Sequence, residues 1–210
     1  LGGGLAGETF TAVGGQTGRF KSGVIHNWAL SAAVMNRPED IVLKDKNLEP
    51  IILFYSFELT TPQLIGRHLA YFGERYSDDQ LNNMSVDVLT KKLMKVNIDN
   101  GVKLKMFYIP KSDDDTKDKQ VNQTKTPQDI INDIESYKIR GFEVVALFID
   151  YVELMEVSSL KHKGYGAHGG EGSALLKQLT KEVRDIAVMY KIPVVSPYQL
   201  NDSASKVLLE

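Results

Sequence analysis

A lysine followed by a hydroxyl at the end of a glycine-rich turn can hold phosphate and a divalent cation. This chain carries that pair at Lys21 and Ser22, closing Gly14-Gly15-Gln16-Thr17-Gly18-Arg19-Phe20-Lys21-Ser22. An apolar, β-branched run, Thr9-Phe10-Thr11-Ala12-Val13, leads in, and a helical pattern, Val24 to Leu30 with Trp28 on it, leads out. Strand, loop and helix in that order are the context of a phosphate-binding loop. Loop N–H groups and the positive end of the helix hold phosphate oxygens. The residues Gly15 to Ser22 are the expected nucleotide-binding set. Lys21 would reach the outer phosphates and Ser22 would hold Mg²⁺. Against the pattern G-x-x-x-x-G-K-[ST], Gly15 fits the first glycine, but Phe20 stands where the second belongs. Glycine is the usual choice there because the backbone must approach phosphate closely. The alternative reading is an ordinary glycine-rich turn with a surface lysine.

Three further polar groups follow apolar runs. Glu58 comes after Ile51-Ile52-Leu53-Phe54-Tyr55, Asp150 after Val144 to Ile149, and Gln199 after Ile192 to Val195. Hydrolysis of a nucleoside triphosphate needs such a set. Asp150 suits the Mg²⁺ shell, Glu58 the activation of water, and Gln199 the sensing of the outer phosphate. Singly, an acid after a strand is also an ordinary turn residue or helix cap.

The elements that must position these groups are legible as an alternation. The runs at 51–55, 102–109, 144–149 and 192–195 read as buried strands. Helices are expected from Thr61-Pro62 to Tyr71 with Thr61 as cap, over 86–95, from Thr126-Pro127 to about Ile139 with a capping box, and from Ala174 to Tyr190. Gly141 should end the third of these. The alternation implies an α/β fold with a mainly parallel sheet, in which ligands sit at the carboxyl ends of the strands. Trp28 is expected in the core. A polar, charged insertion is expected at about 111–125 and a flexible glycine-rich loop at about 158–173.

Bulk properties narrow the function. The chain has 210 residues, 42% hydrophobic and 25% charged, with net charge −2 and no cysteine. Disulfides and thiolate metal sites are excluded. A generally basic nucleic-acid coat is excluded too, so DNA contact would need a local patch. Lys161 and Lys163, among glycines, are the candidate patch; a solvated loop is the plain alternative. No apolar run approaches the roughly 20 residues that span a bilayer, so no membrane partner is expected, and the absence of cysteine suits a reducing cytoplasm. The start at Leu1 within Leu-Gly-Gly-Gly suggests a piece of a longer protein.

The motifs resemble one family. Ile52-Leu53-Phe54-Tyr55-Ser56-Phe57-Glu58-Leu59 with Gln63-Leu64 and Arg67 is similar to the F-S-L-E-M … Q-L … R stretch of DnaB-type replicative helicases. Phe148-Ile149-Asp150-Tyr151-Val152-Glu153-Leu154-Met155 resembles their I-D-Y-L-Q-L-M. Leu176 to Glu182, Ile192 to Val195 and Gln199-Leu200-Asn201 resemble L-K-x-L-A-K-E, V-P-V-V and S-Q-L-N. The resemblance implies one RecA-like P-loop NTPase core over residues 1–210, with ATP and Mg²⁺ as cofactors. It gives Lys21 and Ser22 the Walker A role, Asp150 the Walker B role, Glu58 the catalytic carboxylate and Gln199 the phosphate sensor. It also implies a homo-oligomer, a hexameric ring around single-stranded DNA, and a primase or helicase loader as partner. An ATP-dependent helicase motor, from a phage or another mobile replicon, is the first reading. Phe20-Lys21-Ser22 looks like the loop of some phage RecA-like recombinases, which keeps a recombinase open. A non-catalytic RecA-like scaffold is the third.

Overall fold

The computed structural model describes residues 5–15, 20–95, 101–109, 125–158 and 172–199. The expected insertion and the glycine-rich loop, with Lys161 and Lys163, fall almost wholly outside these residues, as do Gln16 to Arg19. Five strands form one all-parallel sheet: β1 (Phe10–Gly15), β2 (Glu49–Ser56), β3 (Lys103–Tyr108), β4 (Phe142–Asp150) and β5 (Val194–Gln199), in the order β1-β5-β4-β2-β3. Among the described residues six α-helices accompany them: α1 (Lys21–Met35), α2 (Thr61–Tyr71), α3 (Asp78–Asn82), α4 (Val86–Lys95), α5 (Pro127–Ile139) and α6 (Gly172–Tyr190).

The sheet is buried on both faces, which is why its central strands read as unbroken apolar runs. Successive side chains of a strand point to opposite faces. On β2, Ile52 and Phe54 pack with Ile25, Ala29 and Ala33 of α1 and Leu64 of α2. Ile51, Leu53 and Tyr55 pack on the other side with Ile130 and Ile134 of α5 and Leu179, Val183 and Ile186 of α6. The β2–β4 register shifts between Ile51 and Ile52, so Val145 is the extra residue. That bulge lets Val144 and Leu147 share one core while Ala146 and Phe148 join the other.

Local chemistry sets the helix ends. Thr126 caps α5 in a reciprocal box with Asp129, as its sequence predicts. Gly141, at φ 89°, follows this helix, a conformation that favours glycine. For α2 the cap is Thr60 rather than Thr61, because Gln63 completes the box three residues after Thr60. Thr61 is the first helical residue and Pro62 the second. The last strand runs on through Ser196-Pro197-Tyr198 to Gln199, beyond the apolar run that announces it, because β1 supplies a partner as far as Gly15. Trp28 is not core. It is 42% exposed on α1 and lines a 750 Å³ apolar cavity at the amino ends of the strands, with Met35, Val42 and Ile192. The core side of α1 is taken by the smaller Ala29 and Ala33.

Leu147 is fully buried at the centre of the sheet. Leu147→Ala is expected to cost about 2–5 kcal/mol of stability, from lost burial plus a residual cavity, read as a lower midpoint in urea unfolding with an unchanged slope.

Candidate functional site

The carboxyl ends of β1, β2, β4 and β5 lie side by side. Ser56 of β2 pairs with Asp150 of β4, and Gly15 of β1 pairs with Gln199 of β5. The chain leaving β2 is tied down twice: Phe57 N–H donates to the Asp150 carbonyl at 2.7 Å, and Leu59 N–H donates to Ser56 Oγ at 3.1 Å. This turn holds Glu58 beside Asp150. The turn after β4 is fixed to β5 by Val152 N–H donating to the buried Ser196 Oγ at 3.2 Å.

Lys21 and Ser22 open α1 and are both nearly buried. Lys21 Nζ folds back and donates to the Gly15 carbonyl at 2.8 Å. A Cβ on Gly15 would come within 3.1 Å of the Lys21 stem, so glycine there leaves room for the lysine. The Ser22 hydroxyl donates to Glu58 Oε2 at 3.0 Å and lies 3.3 Å from the Tyr151 hydroxyl. Beside them is a cavity of about 370 Å³, which Gln63 and Arg67 of α2 also line.

Asp150 is fully buried. By distance and angle neither Asp150 oxygen has a hydrogen-bond partner among the described residues, although the Ser22 hydroxyl, directed to Glu58, lies near it. Burial pushes the Asp150 carboxyl up to about 7. The Glu58 charge adds to that rise, while nearby Ser22, Arg67 and Lys21 oppose it. An orphaned carboxylate, a hydroxyl and a second carboxylate form a set of hard oxygen donors, the type that suits Mg²⁺. Burial also raises the Tyr151 phenol, which therefore stays protonated near neutrality.

Phe20 departs from the pattern in a way its conformation explains. It precedes α1 with φ 61° and ψ 21°, in the left-handed region. Glycine enters that region freely, whereas a residue with a Cβ is strained there. The glycine of the usual pattern thus serves backbone conformation as well as close approach to phosphate. The Phe20 ring is 73% exposed and lies over Gly23, with the Arg67 guanidinium 5.7 Å from its centroid.

Among the expected site residues, Gly15, Lys21, Ser22, Glu58 and Asp150 converge. Gln199 has its backbone in place on β5, and its side chain lies outside the described residues. Tyr151 and Arg67 join the site without having been singled out as site residues by the sequence. Their signal lay in the motifs: Tyr151 follows Asp150 directly, and Arg67 stands nine residues after Glu58, on the helix behind it. His26 and His68 are also new. His26, one turn beyond Ser22, is buried, and neither ring nitrogen has a partner among the described residues. Burial, then the neighbouring His68 and Arg67, lowers its pKa to about 3.

An all-parallel sheet with a lysine-serine turn at one strand end and two acids at the next strand ends defines a RecA-like α/β fold. The chain belongs to the divergent DnaB-like ATPases, a family that matches residues 1–210. It is similar in structure to a DnaB-like replicative helicase solved for its interactions with primase, with TM-score 0.59 and 14% identity. That similarity covers 97% of this chain and 41% of that one, so the present chain spans under half its length. No curated protein matches the chain. No helix of the described residues is long and apolar enough to cross a membrane.

Because His26 is held neutral when folded, the unfolded chain binds its proton first as pH falls. Folding should therefore lose stability from about pH 6.5 downward toward 3, at on the order of 1 kcal/mol per pH unit from this group. His26→Leu is expected to flatten that part of the pH profile in chemical unfolding; an unchanged slope would remove His26 as its source.

Proposed function

We propose that the chain is the ATP-hydrolysing motor of a replicative DNA helicase. The observation that carries this reading is the buried, unpartnered Asp150 carboxylate beside Ser22, Glu58 and Lys21. Such a group is costly without a compensating cation. Mg²⁺, when bound, would neutralise charge between the outer phosphates. Asp150 and Ser22 would hold it.

The remaining work falls to the chain's own side chains. The segment Gly15 to Ser22, with Gln16, Thr17, Gly18, Arg19 and Phe20, is the proposed phosphate-binding loop. Lys21 exchanges the Gly15 carbonyl for the outer phosphates. Ser22 would exchange its hydrogen bond to Glu58 for a place among the residues that hold Mg²⁺, which would leave Glu58 able to accept a proton from water. That water attacks the outer phosphorus, the bond to the bridging oxygen breaks, and ADP and phosphate leave. Tyr151 keeps its proton and steadies Ser22. Gln199 senses loss of the outer phosphate and passes the change into β5. On this reading the working form is a ring of copies, a hexamer, moving on single-stranded DNA, with Lys161 and Lys163 as the candidate phosphate contacts. Primase is the favoured partner class because that neighbour was solved for its interactions with primase; a helicase loader is the other candidate.

A non-catalytic scaffold is the second reading. Phe20 in a left-handed conformation at the loop's end is the observation that favours it. Glu58→Gln separates the two. It preserves size and hydrogen bonding but not basicity, so Mg²⁺-ATP affinity should hold while DNA-stimulated hydrolysis falls at least about a hundredfold. Hydrolysis equal to the parent's would remove Glu58 from the mechanism, and no hydrolysis in either protein would favour the scaffold.

A further inference from the structure

Phe20 has a cost and a placement that an ordinary turn residue does not need. Its backbone sits at φ 61°, and strain of this kind persists only where the surroundings enforce it. Although the residue is 73% exposed, one edge of its ring lies against α1 at Gly23. A Cβ built on Gly23 would meet the Phe20 ring carbons Cδ1 and Cε1 at 2.4 Å, so the ring occupies the space that any other residue at 23 would fill. The Arg67 guanidinium carbon lies 5.7 Å from the ring centroid, within range of a cation–π contact. Arg67 lines the 370 Å³ cavity with Lys21 and Ser22, and its Nη1 is buried with no hydrogen-bond partner among the described residues. A planar guanidinium with an unspent donor suits a phosphate oxygen.

We propose that Phe20 is a positioning residue: its ring, seated on Gly23, holds the Arg67 guanidinium at the mouth of the Lys21–Ser22 cavity, where it receives the outermost phosphate of a nucleoside triphosphate. The inference rests on the nucleotide-binding reading and deepens it. The residue that departs from the usual loop pattern thereby trades backbone ease for a fixed arginine. A diphosphate has no phosphate at that place, so the device tells triphosphate from diphosphate.

The test is calorimetry of the whole chain with Mg²⁺ and either ADP or a non-hydrolysable ATP analogue, read as the ratio of the two affinities. Phe20→Leu keeps an apolar side chain but removes the ring face. Its preference for the triphosphate should fall roughly fivefold, the size of a lost cation–π contact. Gly23→Ala, which favours helix and displaces the ring, should lower the same ratio, and Phe20→Tyr should restore it. In an Arg67→Ala background, Phe20→Leu should change the ratio no further. An unchanged ratio in both Phe20→Leu and Gly23→Ala overturns the inference. So does an equal fall with and without Arg67, because Phe20 would then act by another route. A parent that binds neither nucleotide overturns the nucleotide reading, and this inference with it. A parent that prefers the triphosphate regardless of Phe20 overturns this inference alone.

Discussion

A carboxylate buried without a hydrogen-bond partner raises the free energy of the fold, and among the described residues Asp150 is in that position at the end of the central strand. The rest of the arrangement surrounds this one charge. The β2–β4 register brings Ser56 level with it, the backbone bond from Phe57 to its carbonyl fixes the Glu58 turn, and α1 delivers Lys21 and Ser22 to its side. Burial, with the Glu58 charge adding to it, raises the proton affinity of Asp150, so the site is electrostatically incomplete by itself. A site that gains from a divalent cation and a polyanion together needs both, which is the logic of a Mg²⁺-nucleotide pocket.

The two faces of the sheet divide the labour. Toward α5 and α6 the packing is dense and apolar, with Leu147, Ile149, Val183 and Ile186 at or near zero exposure. Toward α1 and α2 polar groups enter the interior: His26 against the edge of Phe54, His68 beside Phe72, and Arg67 reaching the cavity. The stable face anchors the strand ends. The other face carries the groups of the proposed nucleotide site, and its buried histidines, held neutral by burial, add no charge beside Arg67.

Much of the fold was legible because a doubly covered parallel sheet leaves a strong local imprint: apolar runs at 51–55 and 144–149, a Thr-Pro-Gln-Asp start for α5, and Gly141 after it. Glu58 and Asp150 could be picked out because each ends such a run. What escaped depended on tertiary context. Thr60 and Thr61 look alike until Gln63 chooses its partner. Trp28 has a large apolar side chain, but Ile25, Ala29 and Ala33 form the face of α1 that packs on the sheet, and Trp28 stands off that face. Asp78–Asn82 is a single short helix with no periodicity to read. Tyr151 and Arg67 stand in the motifs, but the chain turns and helix placement that bring them into the site are set by tertiary structure. The left-handed conformation of Phe20 is likewise visible only in three dimensions, although the glycine it replaces hints at it.

The central claim is that Lys21, Ser22, Glu58 and Asp150 form a working Mg²⁺-nucleotide site despite Phe20. The most direct measurement is the affinity of the chain for Mg²⁺-ATP by calorimetry, beside Lys21→Ala. Binding in the micromolar range that disappears in Lys21→Ala is the predicted result. Equal heats and equal affinity in the two proteins would contradict the account, because any nucleotide bound would then be held elsewhere.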